Sequence, residues 1–174
     1  MRSTPRGRLC ARLALAAGVL VAVGATAGCA PDDAGGPLVH RIDDAIFAVE
    51  SYYRAPQQYF EISATESVVS VIVAIDGGPE AEQAFWTVDD GLVDPVPVAS
   101  FDRPTFRSGD LDFRPGRVLG QVRDELPNSE ILDFAITAST DGVPVYDARL
   151  QSRQGGVLMV LLDGDGRVLA ARSE

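Results

Sequence analysis

Few residues in this 174-residue chain can do chemistry. His40 is its only imidazole, beside Arg41 at the start of a predicted helix. A nucleophilic triad needs a histidine held by a carboxylate next to the attacking group. No spacing here supplies that, so His40 reads as a surface residue. The 15 basic residues are all Arg, which removes Schiff-base and Ser-Lys chemistry. With one His and two Cys, a zinc site built on several such ligands has nothing to draw on. Asp163 and Asp165, set among glycines in Asp163-Gly164-Asp165-Gly166, match the opening of a calcium loop. The loop then needs another oxygen ligand where Arg167 stands, so hairpin-turn chemistry is the expected role and no metal is assigned. Asp110 and Asp112 flank Leu111 and read as solvated carboxylates. Paired carboxylates for glycoside hydrolysis could be drawn from 25 acidic residues. No aromatic-rich groove accompanies them, however, and a carboxylate-based hydrolase ranks below a binding role. No cofactor is expected, and the chain is read as a non-enzyme. A net charge of −10 and a pI near 4.5 exclude the basic footprint of a nucleic-acid partner.

Cys29 is the residue with the clearest chemistry. Arg2, Arg6, Arg8 and Arg12 precede an apolar run from Leu13 to Ala25, too short for a spanning helix of roughly 20 residues. Charged start, short apolar core and small-residue finish form a signal-peptide pattern. Thr26-Ala27-Gly28-Cys29 resembles the lipobox of bacterial lipoproteins, with Thr26 where Leu is usual. The resemblance implies cleavage after residue 28 and acylation of Cys29. An ordinary signal cleaved nearby would instead leave Cys29 as an unpaired exported thiol. Two acyl chains anchor stably, whereas one is marginal. The expected location is therefore the cell membrane, lipid-anchored on the extracytoplasmic side. Cys10 leaves with the signal, so no internal disulfide is expected. Without residues 1–28 the chain keeps 11 Arg and 25 acidic residues, a charge of −14. Residues 29–37, rich in Gly, Pro and Asp, read as a tether.

The remainder reads as one pattern written twice. Leu38, Ile42, Ile46, Val49 and Tyr53 recur at helical spacing between Pro37 and Pro56. Alternation over 59–65, an apolar β-branched run over 68–75, and strands at 84–88 and 92–93 follow. In the second half, Val118, Val122 and Leu126 mark a helix between Pro115 and Pro127. Strands are predicted at 131–139, with Leu132, Phe134, Ile136 and Ala138 on one face, and at 145–150, with Tyr146, Ala148 and Leu150 inward. The apolar run 157–162 and residues 168–170 complete the set. Asp141-Gly142 marks a tight hairpin. The expected fold is α+β: two tandem helix-plus-antiparallel-sheet (α-β-β-β) modules packed as one body. The modules cover 38–94 and 115–174. The connector 95–114, with Pro95, Pro97 and Pro104, is expected to cross extended without an element of its own. Trp86 with Phe85, and Tyr52 with Tyr53, are either core or binding-face aromatics, since neighbours in a strand point opposite ways. Trp86 and Tyr146 are the candidate partner contacts.

The stretch Val145-Tyr146-Asp147-Ala148-Arg149-Leu150, then Gly156, Leu161-Leu162-Asp163 and Gly166-Arg167-Val168-Leu169, resembles the PepSY domain over about 115–174. Its acidic turn is one residue tighter than usual and has Gly where the family has Ala. Residues 38–94 would be a more divergent copy. The tandem architecture is also similar to that of secreted β-lactamase-inhibitor proteins, an analogy that does not fix function. PepSY resemblance implies a module that restrains or modulates peptidases and other envelope proteins, with the concave sheet face as the binding surface. The alternative role is an envelope carrier holding a small molecule or lipid in an apolar cavity between helix and sheet.

Overall fold

The computed structural model describes residues 36–174. Cys29, the signal segment and most of the tether lie outside the described residues. The described part is mixed helix and antiparallel sheet. A 3-10 turn at Val39–Arg41 leads into α1 (Ile42–Tyr53), which buries Ile42, Ala45, Ile46 and Val49 at the expected spacing. Arg54 ends it in the left-handed conformation (φ 58°). Strands β1 (Gln58–Ala64), β2 (Val69–Ala74), β3 (Ala81–Thr87) and β4 (Gly91–Val98) follow as a meander. After the short β5 (Phe106–Arg107), α2 (Pro115–Glu125) starts on a proline and buries Val118, Leu119 and Val122. A second meander runs through β6 (Ser129–Ala138), β7 (Pro144–Ser152), β8 (Val157–Leu162) and β9 (Val168–Ser173).

The two meanders join at their first strands. β1 pairs antiparallel with β6, giving one sheet in the order β4-β3-β2-β1-β6-β7-β8-β9, with β5 pairing β1. Ile62 faces Ile136 and Ala64 faces Phe134 across that seam. These residues belong to a single core cluster that also contains the buried residues of both helices. Both helices therefore cover the same sheet face. Burying each Val, Leu or Ile side chain contributes about 1.5–3 kcal/mol, so the shared core couples the halves strongly.

Several local expectations are corrected. The connector does form elements: β5 carries Phe106 (1% exposed) against Tyr59, with ring centroids 5.8 Å apart, and a 3-10 turn follows at Ser108–Asp110. Burial of one large aromatic is enough to draw the crossing chain onto β1. Pro95 and Pro97 lie inside β4 rather than beyond it. β4 is an edge strand, where the missing N–H can face outward at no cost to the ladder. In β6 a bulge between Ile131 and Asp133 shifts the alternation, so Ile131 joins the core in place of Leu132. A bulge in β1 likewise turns Phe60 to the opposite face. There it forms a small cluster with Ala74 and Ala81, capped by Phe101.

Candidate functional site

Among the described residues the helices lie on one face of the sheet and leave its other face open. Cross-strand partners share a face, so the register fixes what that surface carries. One row is Ala135–Asp147–Leu161–Ala170, and the next is Asp133–Arg149–Met159–Arg172. Asp147, Met159, Leu161, Ala170 and Arg172 enclose a hollow of about 280 Å³. Arg149 and Asp133 form an ion pair of 2.8 Å beside it. Burial among apolar neighbours pushes the Asp147 carboxyl up, and the Arg172 guanidinium opposes that rise. Toward β4 the face carries Phe85, Ile72, Val93 (46% exposed) and Val96 (50% exposed), with Gln83 donating to Ser70 Oγ (2.8 Å). Arg103 pairs with Glu61 (3.0 Å) and covers the Phe101 ring.

A second surface feature gathers residues that are far apart in sequence. Asp110, Asp112, Asp163 and Asp165 line one cleft of about 410 Å³ with Arg117 and Tyr146. The carboxylates of Asp163, Asp165 and Asp110 are engaged within the fold. Asp163 Oδ1 accepts from the N–H groups of Asp165 (3.0 Å) and Arg167 (2.9 Å), the side-chain-to-backbone pattern of an Asx turn. Asp165 pairs with Arg117 (3.1 Å), and Asp110 Oδ2 accepts from the Arg107 N–H (2.9 Å). Among the described residues no group of three or more His, Cys, Asp or Glu side chains is placed to hold a metal ion. The turn is pressed onto the start of α2: Arg114 N–H donates to the Gly164 carbonyl (3.4 Å). A Cβ on Gly164 would lie 1.8 Å from the Asp112 carbonyl oxygen, and one on Gly166 2.5 Å from Val118 Cα.

The other sequence candidates have defined places. Tyr146 is 6% exposed. Its ring packs with Phe113 and Phe134, and its hydroxyl accepts from the Asp112 N–H (3.0 Å) at the cleft wall. Burial raises its phenol above the ordinary range, with the Asp112 N–H pulling the other way. Trp86 lies on the helix-covered face, partly buried against the main core beside Leu92, while Phe85 takes the open face. Tyr53 packs on that core and donates to Glu82, whereas Tyr52 is exposed. His40 is exposed in the opening 3-10 turn. Between helices and sheet the buried side chains of the described residues form one continuous cluster. The open-face residues Asp147, Met159 and Leu161 were not singled out by sequence. Their signal was present, because inward Tyr146 and Ala148 leave Asp147 outward, and an all-apolar β8 must expose one apolar side.

No family model matches the chain, and no curated protein matches it in sequence. A solved structure does share the fold: a protein described as a lipoprotein, from Clostridium difficile 630. It superposes with a TM-score of 0.57 at 16% identity, over 76% of this chain and 91% of that one.

Proposed function

We propose that this chain is a lipid-anchored extracytoplasmic binding protein of two tandem PepSY-like modules, 38–94 and 115–174, that modulates a peptidase or another protein of the cell envelope. Cys29 carries the acyl chains, and residues 29–37 hold the body away from the membrane. The observation that carries the reading is the one-sided sheet. Among the described residues all helical cover is on one face, and the opposite face presents an apolar hollow around Leu161 and Met159, bordered by Asp147 and Arg172. Apolar contacts of this kind supply affinity, and the surrounding charges select the partner. The body's acidic surplus, 23 carboxylates against 11 Arg over 36–174, disfavours acidic partners. The likeness to a protein described as a lipoprotein agrees with the anchor.

The test is covalent capture in intact cells of the full-length chain, its Cys29→Ala form and its Leu161→Arg form. The expected result is fatty-acid labelling and membrane retention lost only with Cys29→Ala, and loss of the same captured envelope protein with Leu161→Arg. An unlabelled Cys29 removes the anchor, and capture indifferent to Leu161→Arg removes the open face as the binding surface.

A further inference from the structure

The two edges of the sheet are finished differently. β4 carries Pro95 and Pro97 at alternate positions, together with Asp94. Pro97 lies opposite Glu82 within the ladder, so the missing N–H groups fall on the outward side and this edge cannot be extended. β9 has neither proline nor acidic residue, and Leu169 to Ser173 are all exposed. The direction of its peptide groups follows from the ladder. Glu174 N–H donates to the Val157 carbonyl (3.0 Å), and the register continues through Ser173–Leu158, Arg172–Met159 and Ala171–Val160. Antiparallel bonding alternates, so Arg172 bonds toward β8 while Ala171 and Ser173 turn their N–H and C=O groups outward. The start of the strand is held separately, by the Val168 N–H donating to Glu125 Oε2 (3.1 Å).

We propose that β9 pairs antiparallel with β9 of a second copy of this chain, centred on Ala171. Outward groups must meet outward groups, which sets Ala171 opposite Ala171, on the C-terminal side of the register shift that leaves Leu169 without a partner in β8. Arg172 then falls opposite Ala170, so no like charges stand directly across from each other. Arg167 and Glu174 flank the strand at its two ends. Antiparallel pairing runs the Arg167 end of each copy toward the Glu174 end of the other. Arg172 of the second copy enters the row Ala170–Leu161–Asp147. The small Ala170 leaves the hollow open, so that guanidinium lies over Leu161 on the side of the Asp147 carboxylate. The acidic charge of the bodies is screened beyond about 8 Å at physiological ionic strength, and the edge itself carries Arg167 and Arg172 against Glu174. A two-fold axis normal to the sheet keeps all helices on one side and merges the two open faces. One short strand pair buries less than the roughly 1,200 Å² of a stable complex, so the dimer is a concentration-dependent one.

Sedimentation velocity of the full chain in one detergent buffer, over a wide concentration range, tests this. The wild type is expected to pass from monomer to dimer. Ala171→Glu and Ala171→Lys, which oppose like charges at the axis, should each weaken self-association about tenfold or more. An equimolar mixture of the two should regain the dimer, which misfolded variants could not do. Ala171→Pro, removing only an outward N–H, should also remain monomeric. A wild type that stays monomeric throughout overturns the proposal, as does a dimer unaffected by Ala171→Glu. A mixture that fails to pair overturns the Ala171 centre. A monomeric wild type that instead takes up an unrelated extended peptide overturns the second copy as occupant.

Discussion

The seating of the acidic turn on α2 can be tested through its glycines. Gly155, Gly164 and Gly166 separate two costs. Gly155 has φ +96° and nothing within 4 Å of a built Cβ, so alanine there meets only the left-handed penalty, about 1–2 kcal/mol. Gly166 has φ +89° and a Cβ position 2.5 Å from Val118 Cα and 2.7 Å from its carbonyl oxygen. Overpacking against backbone adds about 1–3 kcal/mol, for a total of about 2–5 kcal/mol. Gly164 isolates the packing cost, because its Cβ would meet the Asp112 carbonyl oxygen at 1.8 Å and that oxygen belongs to the main chain. About 3 kcal/mol is expected there, near the upper end of the overpacking range. At about 3 °C per kcal/mol, Gly155→Ala should lower the unfolding midpoint by about 3–6 °C. Gly164→Ala should lower it by about 9 °C and Gly166→Ala by about 6–15 °C. Thermal unfolding followed by circular dichroism reads all three. If Gly164→Ala and Gly166→Ala cost no more than Gly155→Ala, residues 163–166 do not press on 112–118, and the acidic turn is not seated on α2.

Other perturbations have equally definite outcomes. Glu50 Oε1 accepts from the hydroxyls of Tyr59 (3.0 Å) and Ser108 (2.9 Å), and Tyr59 is fully buried. Glu50→Ala should therefore cost about 1–3 kcal/mol in denaturant unfolding, and Glu50→Gln distinctly less. Burial, reinforced by the neighbouring carboxylates Glu82 and Glu50, raises the phenols of Tyr53 and Tyr59 above the ordinary range. The folded chain then keeps protons that the unfolded chain releases above about pH 10, so this stabilisation is complete below that pH and declines as pH rises through the folded values. Guanidinium unfolding between about pH 9 and 12 should show the decline, and Tyr59→Phe should flatten it. Asp147 is raised by burial, so its ionised form is penalised in the folded state at pH values above its folded pKa, and the penalty is relieved as pH falls toward the unfolded value. Asp147→Asn should accordingly raise the unfolding midpoint at pH 7, with the gain gone by about pH 3, below the unfolded carboxylate value.

Most elements were legible because their signals are local. The spacing of Ile42, Ile46 and Val49, the proline at residue 115 and the alternation around Tyr146 and Ala148 each act within a few residues. The bulges were not legible. Whether Ile131 or Leu132 faces the core depends on the strand opposite, since both are apolar and alternation alone favours either. Pro95 and Pro97 suggested a break because proline is excluded from central strands. They are tolerated here because β4 became an edge, which only the whole sheet order decides. The β1–β6 seam joins residues 70 to 76 positions apart, and no local pattern encodes it. The same holds for the cleft: Asp163 and Asp165 were visible as turn residues and Asp110 and Asp112 as solvated carboxylates, but the topology alone brings 110–112 against 163–165. The aromatic candidates show the opposite failing. Trp86 and Tyr146 drew attention by type, while the open face is defined by Asp147, Met159 and Leu161, which look ordinary in the sequence.

The most direct test of the open sheet face as the binding surface is site-specific photocrosslinking in intact cells. A photoreactive residue is placed in the full-length chain at Leu161 or Met159 on the open face, or at Asp44 or Asp124 on the helices. A discrete crosslinked envelope protein from the first pair and none from the second is the expected result. The same product from Asp44 or Asp124, with none from Leu161 or Met159, would contradict it.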